Sequence, residues 1–136
     1  MSNNALSSYT KTKYNTASRG DLLLAMYDGA LRYAHVARAA ILAKQPGKKG
    51  EAISALMAVI AELSNTLDHS KAQSLCDNLM RLYSYFLERV QQASLRMDVE
   101  PLDEVIGHLQ SLRETWAQAV RIAEREGVIG AAAPTP

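Results

Sequence analysis

One glutamate and one histidine in the sequence have a spacing at which they could bind a metal ion together. Glu104 and His108 are four residues apart, so on a helix they would share one face and could hold a metal ion together. Such a pair supplies two ligands at most, and the simpler interpretation is a surface carboxylate–imidazole pair. His35 and His69 have no partner at ligand spacing, so we expect both to be ordinary surface residues.

Nucleophilic, acid–base and phosphate chemistry have equally little support. Cys76 is the single cysteine, which excludes an intrachain disulfide and favours a buried, small apolar residue. Asp28 beside Tyr27 is one carboxylate without a partner, which is weak evidence for acid–base catalysis. The sequence has no Gly-rich phosphate loop and no Glu-x-x-His motif of a di-iron bundle. We therefore predict no enzyme activity, no metal site and no cofactor.

The composition indicates one domain in a reducing compartment. The chain has 136 residues, 48% of them hydrophobic, and a formal net charge of +1, which gives no argument for nucleic-acid binding. Residues 1–50 carry eight Lys or Arg and two Asp or Glu, so either the partner is anionic or basic and acidic helices pack together. The sequence has no secretory signal and no apolar run that could span a membrane. These features predict a cytoplasmic protein without membrane insertion.

The stretch LLLAMYDGALRYA, residues 22–34, could be either a hairpin or a helix. Asp-Gly between apolar runs is a hairpin signal, but the apolar residues recur at helical spacing straight through it. We therefore predict a helix at about residues 19–43, capped by Ser18, with Asp21 in its first turn. Asp28 can pair with Arg32. Gly29 costs about 1 kcal/mol in a helix interior, which suggests that another helix approaches closely there.

Three further apolar series predict three further helices. KQPGKKG, residues 44–50, ends the first helix, and Asp68 or Ser70 is able to cap the third. RMDVEP, residues 96–101, ends the third, with Pro101 suited to the first turn of the fourth. The inner apolar positions are Ile53, Leu56, Met57, Ile60, Leu63 and Leu67, then Leu75, Leu79, Leu82, Phe86, Val90 and Ala93, then Leu102, Val105, Ile106, Leu109, Leu112, Trp116 and Ala119.

Four helices with short connections predict an all-α fold, an antiparallel up-down-up-down four-helix bundle. We assign residues 1–17 to a mobile N-terminal arm, 18–126 to the bundle and 127–136 to a disordered tail. The helices carry more apolar residues than one core needs, which suggests a second buried surface that a partner or the arm covers. This surplus comprises Leu22, Leu24, Met26, Val36, Val59, Tyr83, Leu87, Leu95, Val120 and Ile122.

Several blocks of the sequence resemble one known family. YTKTKYNTASRGDLLLAMYDGAL, IAELSNTLD, LYSYFLERVQQASLRMD and LDEVIGHLQSLRETWAQAV together resemble the flagellin-specific export chaperones of the flagellar type III system, also called flagellar secretion chaperones. The resemblance covers roughly residues 9–120, and the order and spacing of the blocks make it specific.

The resemblance implies a cytosolic export chaperone that binds the disordered C-terminal segment of flagellin one-to-one. Its apolar groove would prevent premature polymerisation and keep flagellin export-competent. Our candidate client-binding residues are Leu24, Tyr27, Leu31, Leu82, Tyr83, Phe86 and Val90, each of which could instead be a plain core residue. Tyr83 is favoured for the groove because its hydroxyl suits a half-wet position. The family's arm can cap the groove, a role that falls on Leu6, Tyr9 and Tyr14.

Other interpretations of the sequence remain open beside the chaperone. One is a self-associating bundle whose surplus apolar face binds another partner or a second copy, and a more distant one is a metal sensor built on Glu104 and His108. The flagellar export gate and a co-chaperone or regulator are further candidate partners. The chaperone should be nearly monomeric alone, whereas a self-associating bundle should show a doubled mass without any client.

Overall fold

The structure, a computed structural model, describes residues 18–127. Four α-helices and no strand are present in this part of the chain. Helix α1 spans Arg19–Leu42, α2 spans Pro46–Asn65, α3 spans Gln73–Arg96 and α4 spans Val99–Arg125. The predicted all-α fold is confirmed. The arm assigned to residues 1–17 and the tail beyond residue 127 lie outside the described residues.

Each helix packs against two neighbours, so that the bundle is roughly square in section. Helix α1 packs against α2 and α4, and α3 packs against the same two helices. Asp28, early in α1, bonds Arg113, late in α4, whereas Arg38, late in α1, bonds Asp103, early in α4. Since residue numbers fall along α4 as they rise along α1, these two helices are antiparallel. This arrangement, with short connections between consecutive helices, is the predicted four-helix bundle.

The beginnings of α1 and α4 follow the predicted local signals. The Ser18 side chain accepts a hydrogen bond of 3.0 Å from the backbone N–H of Asp21, which satisfies one free amide of the first turn. The Asp98 side chain caps α4 in the same way, through the backbone N–H of Glu100 at 3.0 Å. Pro101 lies in the first turn of α4, where its missing N–H leaves no helical hydrogen bond unmade.

One predicted helix boundary and one predicted helix cap are wrong. Helix α2 begins at Pro46, so Gly47 and Gly50 lie inside the helix and not in the loop that follows α1. Proline at the first helical position is the start signal that the two glycines obscured. Asp68 and Ser70 do not cap α3, because the Asp68 side chain accepts hydrogen bonds from the backbone N–H and hydroxyl of Ser70 instead.

The core runs the length of the bundle and draws on all four helices. Its side chains are buried, most of the large ones completely, and they form one continuous apolar cluster. Burial of this kind is the main favourable contribution to folding. The largest wholly buried side chains are Tyr27, Leu56, Ile60, Leu63, Cys76, Tyr83, Phe86, Val90, Leu102, Val105 and Leu109.

The buried face of α3 differs from the predicted face at two positions. Leu75 was expected inside but is 45% exposed. Cys76 is buried, as predicted, and its thiol donates a 3.4 Å hydrogen bond to the carbonyl of Asp68. Tyr83 was expected at a partner surface but is wholly buried. The remaining inner positions of α3 are confirmed as buried or half-buried, namely Leu79, Leu82, Phe86, Val90 and Ala93.

The interpretation of Asp28 and Gly29 was wrong in its details. Asp28 accepts two hydrogen bonds from Arg113 of α4, at 2.9 and 3.2 Å, and does not pair with Arg32. A Cβ atom placed on Gly29 would have nothing within 4 Å, so no helix of the described part approaches closely there. The close approach occurs at Gly20, where an added Cβ would lie 2.5 Å from a methyl carbon of Val120.

These two glycines give a matched pair of substitutions in one helix. Gly29→Ala should raise the free energy of unfolding by about 1 kcal/mol, because alanine is the better helix former and its methyl group meets no neighbour. Gly20→Ala should lower it by about 1–3 kcal/mol, because the stiff side chain of Val120 must move. Urea unfolding followed by circular dichroism measures both, and equal shifts of the same sign would contradict the packing described here.

Candidate functional site

A hydrogen-bonded aromatic cluster lies in the core and joins three helices. The hydroxyl oxygens of Tyr27 in α1 and Tyr83 in α3 are 2.6 Å apart, and the indole N–H of Trp116 in α4 donates to the Tyr27 oxygen at 3.1 Å. The Tyr83 ring meets Phe86 edge to face, with ring centroids 6.2 Å apart. Because buried hydroxyls are costly without partners, this cluster fixes how α1, α3 and α4 sit against one another.

The expectation of a half-wet Tyr83 is wrong. Its side chain has no exposed surface, because the hydroxyl of Tyr27 supplies the hydrogen bond that water was expected to provide. The sequence missed this partner because Tyr27 lies on another helix, far away along the chain. Trp116 was placed on the inner face of α4, and its bond to Tyr27 could not be read from that spacing.

The buried tyrosines should make stability sensitive to alkaline pH. Burial is the main cause that raises the pKa of both Tyr27 and Tyr83 above the ordinary value of 10.0. Above about pH 10 the unfolded chain loses these protons while the folded chain keeps them, so the free energy of unfolding falls as pH rises. The slope should reach at most about 1.4 kcal/mol per pH unit for each tyrosine.

Urea titrations at a series of alkaline pH values would measure that slope. Tyr27→Phe and Tyr83→Phe should each make it shallower, because each removes one buried ionisable hydroxyl. A slope unchanged in both variants would contradict the assignment of the pH effect to this cluster.

The predicted client-binding residues fall into two sets in the structure. Leu24, Leu31 and Leu82 are half-buried and offer apolar surface to a partner. The other four have no exposed surface, and a client could reach them only if helices moved apart: Tyr27, Tyr83, Phe86 and Val90. A client-binding role for all seven stays a prediction. The arm residues Leu6, Tyr9 and Tyr14 lie outside the described residues.

The three half-buried leucines lie beside the two seams that α4 makes with its neighbours. Leu24 and Leu31 are one turn before and three residues after Asp28, which bonds α4, so they share the α4-facing side of α1. Leu82 is three residues before Tyr85, whose hydroxyl donates to Glu104 of α4 at 2.6 Å. We call these two lines of contact, α1 with α4 and α3 with α4, the α4 seams.

The Glu104 carboxylate accepts hydrogen bonds from α3 side chains across the α3–α4 seam. Besides Tyr85, it accepts a 2.7 Å hydrogen bond from the Arg89 guanidinium, and together these donors hold the pKa of its carboxyl below the ordinary value. His108 lies 3.7 Å from the same carboxylate and stacks on Phe86 with ring centroids 5.6 Å apart. Within residues 18–127 no group of three potential ligands could hold a metal ion. Glu104 and His108 form a surface carboxylate–imidazole pair within α4, and Tyr85, Arg89 and Phe86 connect this pair to α3.

The predicted apolar surplus is only partly exposed. Tyr83 and Val120 are buried, whereas Val36, Leu95 and Ile122 expose about half or more of their surface, with Leu95 the most exposed at 78%. One open groove, between α1 and α2, was not predicted. The half-exposed Val36 was a signal for it, but the residues opposite on α2 could not be known before the helices were paired.

Among the four helices of residues 18–127, none combines the length and the hydropathy of a membrane-spanning segment. His35 and His69 are exposed, as predicted for ordinary surface residues. His69 lies 3.5 Å from the Asp77 carboxylate, which is a second surface imidazole–carboxylate contact and not a ligand cluster.

Comparison with known proteins identifies the family. The model of the family described as flagellar protein FliS matches residues 1–123. The flagellar secretion chaperone FliS of Salmonella typhimurium is 35% identical over 106 residues, which cover 76% of this chain and 77% of that protein. The FliS proteins of Bacillus subtilis and Escherichia coli are 29% and 31% identical, over 90% and 77% of this chain and 91% and 78% of their own lengths. The chain belongs to the FliS family of flagellar secretion chaperones, which implies a non-enzymatic role and a client protein in flagellar export.

Proposed function

We propose that this chain is a cytosolic export chaperone that binds the disordered C-terminal segment of flagellin one-to-one. Bound flagellin is kept from polymerising and stays competent for export and filament assembly. The observation that carries the proposal is the family match over residues 1–123, nearly the whole chain. The bundle agrees with such a role, because its half-buried leucines offer apolar surface along the α4 seams.

The proposed client contacts lie along the α4 seams. Leu24 and Leu31 beside the α1–α4 seam, and Leu82 beside the α3–α4 seam, would receive the apolar face of client helices that form on binding. The buried cluster of Tyr27, Tyr83, Phe86 and Val90 supports these seams from within, as a rigid base rather than as first contacts.

Coupled folding sets the energetics of this complex. A disordered segment that folds on its partner buries on the order of 1,000–3,000 Å², and ordering it costs about 2–5 kcal/mol of the gross interaction energy. A preformed apolar seam reduces the chaperone's own share of that cost, because its side chains are already packed against the core. The complex can therefore be specific and still release its client at the export gate.

The arm completes the proposal. Leu6, Tyr9 and Tyr14 would cover the client surface before flagellin arrives, and the client would displace them. Such a cover would shield the half-buried leucines from non-specific contacts, which is how exposed apolar patches are kept from aggregating.

Self-association is the second candidate, and the exposed Val36, Leu95 and Ile122 favour it. Light scattering on a sizing column separates the two candidates. The chaperone should elute with the mass of one chain and shift to a one-to-one complex when flagellin monomer is added. A mass of two chains in the absence of flagellin, unchanged when flagellin is added, would contradict the chaperone proposal.

A further inference from the structure

An open groove separates the outer edges of α1 and α2. It is lined by Arg32, Tyr33 and Val36 of α1 and by Lys48, Glu51, Ala52 and Ala55 of α2, and its volume is about 580 Å³. The lining part of α2 runs from Lys48 to Ala55, about two helical turns. The groove faces away from the α4 seams, because α1 meets α2 on one side and α4 on the other.

The groove combines apolar lining residues with two cations, Arg32 and Lys48, and one carboxylate, Glu51, so its net charge is positive. Among the apolar lining residues, Val36 is 49% exposed and Ala55 is half-buried, whereas Ala52 is 5% exposed and belongs to the core. The guanidinium carbon of Arg32 lies 5.4 Å from the centre of the Tyr33 ring. Among the ion pairs of residues 18–127, none includes Arg32 or Lys48.

Gly29 extends this surface along α1. It lies three residues before Arg32 and seven before Val36, so the three share one face of the helix. Its position has open space where a Cβ would be, and glycine is costly in a helix interior. No helix of the described part approaches the backbone at Gly29. A partner that approaches it there would account for the cost of the glycine.

The charged side chains of the groove indicate what kind of partner it can bind. Residues 1–17 contain two lysines and no Asp or Glu, and residues 128–136 contain no charged side chain, so neither end of this chain complements Arg32 and Lys48. A helix with small and apolar residues on one face and carboxylates beside them would contact Val36 and pair with Arg32 and Lys48, the two cations that outnumber Glu51.

We infer that the α1–α2 groove binds an acidic amphipathic helix of a second protein, at a surface separate from the α4 seams. The inference goes beyond the proposed function and does not depend on the identity of the client. Apolar contacts with Val36 and Ala55 hold the helix, and Arg32 and Lys48 set its orientation and speed its association. A chain with two separate surfaces binds a second partner while its client is in place.

A pair of stapled helical peptides tests the inference with the full chain. The acidic peptide has an Ala/Leu ridge flanked by Glu, and the basic peptide has Lys at the same positions. In nitrogen-15 NMR spectra, the acidic peptide should shift the amides of Arg32, Tyr33, Val36 and Ala52, and the basic peptide should shift none of them. Raising salt from about 0.05 to about 0.5 M should weaken the acidic peptide's binding.

Charge reversal supplies the decisive variant and its control. Arg32→Glu combined with Lys48→Glu should raise the Kd of the acidic peptide at least about tenfold. Arg121→Glu combined with Arg125→Glu makes the same charge change at an exposed place on α4 and should alter Kd by less than about twofold.

Three results would overturn the inference: no binding of the acidic peptide, shifts confined to the α4 seams, or equal losses in the two double variants. A mass of two chains, with the groove amides altered by dilution, would also overturn it and assign the groove to a second copy. Flagellin titrations are independent of these readouts, so either proposal can fail while the other stands.

Discussion

Replacing Tyr83 with alanine should lower the free energy of unfolding by about 3–5 kcal/mol. The side chain is wholly buried among Phe86 and the other core residues, so its removal leaves a cavity in the middle of the bundle. The substitution also takes away the hydroxyl that lies 2.6 Å from the Tyr27 hydroxyl. A marginally stable bundle of this size would lose a large part of its stability.

Two control variants separate packing from the hydrogen bond. Tyr83→Phe keeps the ring and should cost about 1–2 kcal/mol, because a buried hydrogen bond is lost. Tyr85→Ala, two residues further along α3, removes a tyrosine that is 40% exposed and should cost less than Tyr83→Ala. Urea unfolding of the three variants measures these differences. Similar losses for Tyr83→Ala and Tyr85→Ala would show that Tyr83 is not a core residue.

Replacing Leu82 with alanine should weaken flagellin binding by about tenfold or more. Leu82 is half-buried beside the α3–α4 seam, where its exposed part would be covered by a client helix. A truncated leucine in a well-packed contact loses both buried area and shape complementarity. Calorimetric titration with flagellin monomer measures the change, and a melting curve confirms that the variant is folded at the titration temperature.

Leu95→Ala is the matched control for this variant. Leu95 lies on the same helix and is 78% exposed, on the side of α3 away from the core, so its loss should change Kd by less than about twofold. Equal effects of Leu82→Ala and Leu95→Ala would contradict a client surface on the α4 seams.

Features decided by neighbouring residues could be predicted from the sequence. The Ser18 cap, the place of Pro101 in the first turn of α4 and the helix through Asp28-Gly29 depend on spacing within a few residues, and all three are observed. A continuous helical period over α1 outweighs the local turn preference of Asp-Gly, because the apolar face gains its stability from the core.

Features decided by the pairing of helices could not be predicted in this way. Asp28 has an arginine one turn ahead and another in α4, and only the antiparallel alignment of α1 with α4 selects Arg113. Gly29 and Gly20 look alike in the sequence, yet only Gly20 faces Val120 of the neighbouring helix. Local spacing indicates which residues could be in contact, and the packing of the helices determines which of these contacts form.

The site shows the same division between local and tertiary information. The α3 sequence fits two nearly equivalent apolar faces, one with Leu75 and one with Cys76 and Tyr83, since both recur every three or four residues. The hydroxyl of Tyr83 appeared to need water until its partner on α1 was known. The α1–α2 groove was missed because its walls come from two helices whose relative register the sequence does not state.

The most direct test of the central claim is calorimetric titration of this chain with full-length flagellin monomer and with flagellin that lacks its C-terminal segment. We expect one-to-one binding of the full-length protein with a negative heat-capacity change, because apolar surface is buried as the segment folds. We expect no binding of the truncated protein. Equal binding of both proteins, or binding of neither, would contradict the claim that this chaperone holds flagellin by its C-terminal segment.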